Sequence, residues 1–195
     1  RGWWIDGCYF ADEMYRHLEH GARCSLASAV DLYENAITLS GLSKAYGLPG
    51  LRIGWLATAN AKYLEAMARL KDYTTIGPPA PSEILGLIAL RAKDEILRRQ
   101  KSILCSNLVL LADFCRKHGD VLDYKEPRGS SVCLLGIDSE LGAEGFARSL
   151  LAACGVLIAP STLFDYGDAH CRIGFGRRNF SKVMAVFDDF LSRWK

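Results

Sequence analysis

The chain has 195 residues, half of them hydrophobic, which is enough to bury a core and to form one or two domains. Its 24 basic and 22 acidic residues are interspersed and give a formal net charge of +2, so no basic block predicts nucleic-acid binding. No uncharged run is long enough to span a membrane, and the seven cysteines, without a Cys-x-x-Cys pair, predict reduced thiols in a cytoplasmic protein.

Three short apolar runs in the first part of the chain predict strands. The first is Cys8–Ala11, the second covers residues 36–39, and the third covers residues 52–57. Asn60 is a predicted N-cap for the helix that follows the third strand. The proline-rich segment 77–81 is stiff and predicts a boundary between subdomains. We therefore divide the chain into residues 1–77 and 78–195.

The second part of the chain alternates between helical and strand patterns. Residues 82–118 have helical spacing, and the length of this run predicts a bend near residues 92–95. Further strands are predicted at 132–137, 156–159 and 172–175, with helices at 143–154 and 181–193. This alternation predicts an α/β fold.

The segment Ser40–Trp55 carries the most specific motif. It reads Ser-Gly-Leu-Ser-Lys-Ala-Tyr-Gly-Leu-Pro-Gly-Leu-Arg-Ile-Gly-Trp, with Lys44 eight residues before Arg52. A lysine that forms a Schiff base needs a pocket that lowers its amine pKa, a neighbouring hydroxyl, here on Ser43, and small residues nearby. Arg52 adds a fixed cation that can hold a phosphate. The segment resembles the pyridoxal-phosphate lysine motif of class I/II aminotransferases.

A second motif, Asp12-Glu13-Met14-Tyr15, follows the first predicted strand, at the end where open α/β sheets bind ligands. Pyridoxal chemistry needs an anion beside the ring nitrogen, and a phenol three residues later can hydrogen-bond the 3-oxygen of the ring. Asp12 precedes Lys44 by 32 residues, a spacing similar to that of the same family. Taken alone, the tetrapeptide is also compatible with an acidic strand end that has a tyrosine packed nearby.

A third motif places Arg172 at the start of a late predicted strand, after a Pro-Ser-x-x-Phe loop that contains Pro160, Ser161 and Phe164. A guanidinium matches a carboxylate with two parallel hydrogen bonds, which lysine cannot reproduce. The motif resembles the arginine with which the family binds the substrate carboxylate.

The resemblance implies a fold type I α/β protein that comprises the late part of the large-domain sheet, a long connecting helix and a small domain, without the N-terminal part of the family fold. It implies that Lys44 forms the Schiff base, that Asp12 and Tyr15 contact the ring, and that Ser43 and Arg52 bind the cofactor phosphate. Position 41 departs from the family, because many members carry serine where this chain has Gly41. The implied protein is a homodimer that exchanges an amino group between an amino acid and a 2-oxo acid in a ping-pong cycle.

Several alternatives stay open at the level of sequence. The same residues serve a decarboxylase, a lyase or a cyclising synthase that uses the same cofactor. The chain begins with Arg1, so we also consider a truncated product that acts only as an interaction module. No second arginine is placed for a dicarboxylic substrate, and the substrate is unassigned. His17, His20 and Cys24 are too loosely spaced to predict a metal site.

Overall fold

The computed structural model describes residues 2–21 and 26–194, and these form two compact units. The first unit comprises the residues up to Gln100, and the second begins at Lys101. The proline-rich segment near residue 77 separates two helices. The boundary between the two compact units lies later in the chain, between Gln100 and Lys101. The assignment of residues 78–195 to a connecting helix and a small domain stays a prediction.

The first unit contains a mixed four-stranded sheet. Its strands are β1 (Gly2–Ile5), β2 (Cys8–Asp12), β3 (Ala36–Gly41) and β4 (Gly54–Ala57), arranged in the order β1-β2-β3-β4. β2 and β3 are parallel, whereas β1 and β4 are antiparallel to their neighbours. The carboxyl ends of β2 and β3 therefore lie at the same edge of the sheet, where ligands bind in open α/β folds.

Two helix boundaries in the first part of the chain agree with the sequence prediction. They are α1 (Ala29–Leu32), α2 (Ala61–Thr74) and α3 (Ala80–Arg91), and α4 (Lys93–Lys117) follows and continues into the second unit. The side chain of Asn60 accepts hydrogen bonds from the amides of Lys62 and Tyr63, which confirms the predicted N-cap of α2. Ala92 interrupts the long helical run, which confirms the predicted bend.

The second unit contains an antiparallel four-stranded sheet with two further helices. Its elements are β5 (Leu122–Tyr124), β6 (Val132–Ile137), α5 (Gly142–Cys154), β7 (Ala159–Pro160), β8 (His170–Gly174) and α6 (Phe180–Leu191). The strand order is β5-β6-β8-β7. The core is aromatic: the ring of Phe187 lies 4.9 Å from that of Phe114 on α4 and 6.2 Å from that of Phe146 on α5. Such pairs add stabilisation beyond their buried area.

Two predicted strands are shorter in the structure. The third strand begins at Gly54 and not at residue 52, because Arg52 has a left-handed conformation (φ 55°, ψ 37°) that cannot continue a strand. The strand predicted at 156–159 pairs only over Ala159–Pro160, although Val156 and Ile158 are buried as its apolar pattern requires. Three short elements, β1, α1 and β5, have no counterpart in the sequence prediction.

Two kinds of feature are absent from the described residues. No helix among residues 2–21 and 26–194 is both long and apolar enough to cross a membrane. The same residues contain no group of three or more His, Cys, Asp or Glu side chains that could hold a metal ion. Of the three residues weighed above as metal ligands, Cys24 lies outside the described part of the chain.

Candidate active site

The parallel pair β2 and β3 brings two of the predicted motifs to one sheet edge. Asp12 is the last residue of β2 and pairs with Leu39 of β3. β3 ends at Gly41, and the chain then enters the loop that carries Ser43 and Lys44. The acidic motif and the lysine motif are thus both held by backbone pairing, although more than twenty residues separate them in sequence.

Lys44 contacts the tyrosine of the acidic motif. Its Nζ atom lies 5.7 Å from the centroid of the Tyr15 ring, within the distance at which a cation interacts with an aromatic face. The Lys44 side chain is exposed, and no carboxylate of the described residues forms an ion pair with it. The amine is therefore accessible to a ligand on the same side as the phenol ring.

The turn after β2 fixes the direction of the Asp12 carboxylate. The Met14 amide donates to Asp12 Oδ1 at 3.0 Å, which is the geometry of an Asx turn. The Glu13 amide donates to the Leu39 carbonyl at 2.9 Å and so extends the pairing with β3. The Leu18 amide donates to the Tyr15 carbonyl at 3.0 Å. These bonds hold the acidic motif rigidly at the edge of the sheet.

Glu13 stabilises this edge of the sheet through hydrogen bonds that its carboxylate accepts from neighbouring segments. One of its carboxylate oxygens accepts from the Ala29 amide at 2.8 Å, and the other accepts from the buried Ser28 hydroxyl at 2.9 Å and from Arg16 at 3.2 Å. The carboxylate thus ties the start of α1 to the acidic motif. The sequence analysis gave Glu13 no role, because Ser28 and Ala29 become its neighbours only after the chain folds back. An acidic residue beside Asp12 was the only signal available.

The lysine loop is closed on itself by backbone hydrogen bonds. The Leu48 amide donates to the Leu42 carbonyl at 2.9 Å, and the Gly47 amide donates to the Lys44 carbonyl at 3.0 Å. Gly47 adopts φ 65°, a conformation that glycine reaches without steric cost. Leu42 and Ala45 are buried on either side of the exposed lysine. The loop therefore presents Lys44 from a fixed base.

Arg52 follows the loop and provides a second cation near the end of the lysine motif. Its Nη1 atom donates to the Pro49 carbonyl at 2.9 Å, which uses one of the five N–H groups of the guanidinium. The side chain is exposed, and no carboxylate of the described residues pairs with it. Lys44 and the hydroxyl of Ser43 precede it in the same segment, and donors of these kinds suit an anionic phosphate.

Gly41 marks a close approach between β3 and β4. A Cβ atom at this position would lie 2.9 Å from the Ile53 carbonyl oxygen, 3.0 Å from the Gly54 Cα atom and 3.3 Å from the Met14 Cε atom. Two of these neighbours are backbone atoms, which cannot move without separating the strands. The departure from the family serine therefore has a structural reason, because this backbone leaves no room for a side chain.

Arg172 belongs to the second unit. It lies on β8 between Leu134 of β6 and Ala159 of β7, and its side chain is exposed. Its Cζ atom lies 4.3 Å from the centroid of the Phe164 ring. No carboxylate among residues 2–21 and 26–194 forms an ion pair with it. The guanidinium thus has donors available for an external carboxylate.

Comparison with known proteins identifies the family. Residues 6–182 match the family model for aminotransferase class I and II. The chain belongs to this family. A PLP-dependent aminotransferase from Streptococcus suis is 30% identical, with a TM-score of 0.86, over 95% of this chain and 49% of that one. The PLP-dependent cyclase OrfR is 26% identical, with a TM-score of 0.84, over 95% of this chain and 50% of that one.

A curated relative, capreomycidine synthase from Streptomyces vinaceus, is 28% identical over 142 residues, which are 73% of this chain and 36% of that protein. The chain thus spans about half the length of the two solved structures and about a third of this relative. These matches confirm the predicted family, its fold type I α/β architecture and pyridoxal phosphate as its cofactor.

Proposed function

We propose that the protein containing this chain is an aminotransferase that moves an amino group between an amino acid and a 2-oxo acid. The main support for this proposal is the contact between Lys44 and Tyr15, in which Lys44 Nζ lies 5.7 Å from the centroid of the Tyr15 ring. This contact lies at the edge of the sheet where β2 ends with Asp12. A catalytic amine, a phenol and a carboxylate are the groups that amino-group transfer on this cofactor requires. In this chain they come from two segments that the parallel strands bring together.

Each residue of the site has a distinct role in the proposal. When bound, pyridoxal phosphate supplies a reactive carbonyl and a ring that accepts electrons. Asp12 would hold a proton on the ring nitrogen, and Tyr15 would hydrogen-bond the 3-oxygen. Lys44 would hold the cofactor covalently through Nζ, and its amine, when free, would remove the α-proton of the bound amino acid.

The phosphate would be held by Ser43 and Arg52. The Ser43 hydroxyl can donate one hydrogen bond, and the guanidinium of Arg52 can add charge-assisted ones. Ser43 lies on the closed loop that also presents Lys44, and Arg52 follows that loop. Because Gly41 offers no hydroxyl, this chain relies on fewer side-chain contacts to the phosphate than many members of its family.

Arg172 would bind the substrate carboxylate. Its exposed guanidinium and its lack of an ion pair within the described residues support this role. The planar fork can form two parallel hydrogen bonds with a carboxylate, which fixes the orientation of the amino acid. We also propose that the protein acts as a homodimer, as the resemblance to the family implies, and light scattering of the full-length protein tests this state directly.

Product analysis tests the proposed reaction. The full-length protein is incubated with pyridoxal phosphate and a panel of amino acids, with and without a 2-oxo acid acceptor, and products are identified by mass spectrometry. Transamination predicts that the oxo acid derived from the donor accumulates in step with the amino acid formed from the acceptor. Turnover that is independent of the acceptor would overturn transamination as the reaction.

A cyclising synthase is the second candidate, and one similarity favours it. One solved structure similar to this chain is named a PLP-dependent cyclase. The residues assigned above serve a cyclisation equally well, because the substituent that stands perpendicular to the cofactor ring decides which bond breaks. In the same assay, a cyclic product formed from the amino acid alone would favour this candidate.

A further inference from the structure

We propose that Phe164 is a positioning residue that holds the Arg172 guanidinium in place for the substrate carboxylate. This inference rests on the proposed role of Arg172 and deepens it. The Cζ atom of Arg172 lies 4.3 Å from the centroid of the Phe164 ring, well inside the range of a cation–π contact. An aromatic ring that covers the face of a guanidinium leaves the N–H groups at its edge free to bind an anion.

Phe164 does not belong to the buried core of its unit. Its side chain is 43% exposed, whereas the core aromatic residues of the same unit, such as Phe146 and Phe187, are fully buried. The exposed part of the ring gains little from burial in this unit, and the ring contacts the Arg172 guanidinium. For Arg172 the stack limits the motion of a long side chain, which lowers the entropy lost when a carboxylate binds.

The loop that carries Phe164 is fastened to the strand that carries Arg172. Residues Ser161–Phe164 form a 3-10 turn, and Ser161 is completely buried. The Ser161 hydroxyl donates to the Gly167 carbonyl at 2.7 Å and accepts from the amide of His170, the first residue of β8, at 3.2 Å. The ring and the guanidinium therefore share a rigid frame, and the stack does not depend on a mobile loop.

The test compares Phe164→Leu with Phe164→Tyr in the full-length holoenzyme. Leucine keeps an apolar side chain but removes the aromatic face, whereas tyrosine preserves that face. We expect Phe164→Leu to raise KM for the amino acid by roughly two- to tenfold with kcat nearly unchanged, because a cation–π contact at an exposed site is weak. Phe164→Tyr should retain the wild-type KM. Leu163→Ala, at the exposed neighbouring position, serves as the matched control and should change neither constant.

A double variant separates this inference from the proposed function. With Arg172→Ala as background, Phe164→Leu should have no further effect on KM, since the cation it positions is gone. If Arg172→Ala leaves KM unchanged, the proposed role of Arg172 is wrong. If Arg172→Ala raises KM but Phe164→Leu does not, or if Phe164→Leu acts equally in both backgrounds, only the positioning role is wrong.

A spectroscopic measurement does not depend on turnover. A ring stacked on the guanidinium shifts the Arg172 Hε resonance through its ring current, and that resonance is assigned by its loss in Arg172→Lys. We expect Phe164→Leu to abolish the shift and Phe164→Tyr to keep it. An identical Hε position in the wild type and in Phe164→Leu would mean that the stack is absent in solution, which would overturn the inference.

Discussion

The Lys44 amine lies over the Tyr15 ring at 5.7 Å, although the two residues belong to separate loops. Each loop follows one of two paired parallel strands, so the contact depends on the register between β2 and β3, in which Asp12 pairs with Leu39. A shift of one residue would turn alternate side chains to the opposite face of the sheet. The site is thus a direct consequence of the strand pairing.

Replacing Arg172 tests the proposed substrate contact. Hydrogen bonds to charged groups contribute about 1.5–3 kcal/mol, so we expect Arg172→Ala to raise KM for the amino acid by about ten- to a hundredfold. Steady-state kinetics of the full-length protein measure this change. Arg178→Ala, at an exposed position beyond β8, is the control and should behave like the wild type. An unchanged KM for every amino acid tested would remove Arg172 from the site.

Asp12→Asn tests the role of charge beside the cofactor ring while preserving the local fold. The asparagine oxygen can still accept the hydrogen bond from the Met14 amide, so the turn after β2 should persist. The negative charge that we propose keeps the ring protonated is lost, and we expect kcat to fall by at least about a hundredfold, as when acid–base participation is removed. Rapid-mixing measurements of α-proton removal provide the check. A wild-type rate of proton removal would contradict the assignment.

Gly41→Ala tests the close approach of β3 and β4. The added Cβ atom would lie 2.9 Å from the Ile53 carbonyl oxygen, so the strands must separate. We expect a loss of about 1–3 kcal/mol in the free energy of unfolding, the usual range for overpacking. Gly50→Ala is the matched control, because a Cβ atom there meets nothing within 4 Å. Urea unfolding of both variants measures the difference, and equal stabilities would contradict this account of Gly41.

Asp188 gives the second unit a pH-dependent contribution to stability. The Lys117 ammonium donates to both of its carboxylate oxygens at 2.7 Å, and His118 Nε2 lies 2.6 Å from Oδ1. The hydrogen bond from Lys117, and then that from His118, lower the pKa of Asp188 below its ordinary value of 3.8. The folded state favours the charged carboxylate, so this contribution is present above that ordinary value and is lost as the pH falls through the lowered pKa.

We therefore expect Asp188→Asn to lower the unfolding temperature at pH 6, and the difference from the wild type to shrink as the pH falls below about 4. Thermal unfolding followed by circular dichroism between pH 6 and pH 3 provides the measurement. Asp189→Asn is the control on the same helix, because among residues 2–21 and 26–194 Asp189 pairs only with exposed Arg193, and surface pairs contribute little to stability. A difference that stays constant over this range would rule out the ionised carboxylate as its source.

The sequence predicted those parts of the fold that depend on local patterns. The apolar run Val132–Ile137 became β6 with the same bounds, and Asn60 caps its helix through its own side chain. β1 was missed because its exposed residues carry no apolar–polar alternation, and it is a strand only through pairing with β2. The left-handed conformation of Arg52 was also missed, because nothing in the local sequence requires it.

For the site, the motifs gave the residues but not the contacts that hold them. The resemblance to a family implies roles for Lys44 and Asp12 from the sequence alone. Glu13 and Phe164 are different, because each contacts partners that approach only after folding: Ser28 and Ala29 for Glu13, and Arg172 for Phe164. Contacts of this kind depend on tertiary structure, and spacing along the chain does not encode them.

Reductive trapping shows whether Lys44 carries the cofactor, as proposed. The full-length protein is loaded with pyridoxal phosphate, treated with borohydride, digested and analysed by mass spectrometry, with Lys44→Ala and Lys62→Ala as paired variants. We expect a reduced cofactor on the peptide that contains Lys44 in the wild type and in Lys62→Ala, and none in Lys44→Ala. A stable adduct at another lysine, or no adduct in a protein that binds the cofactor, would contradict this proposal.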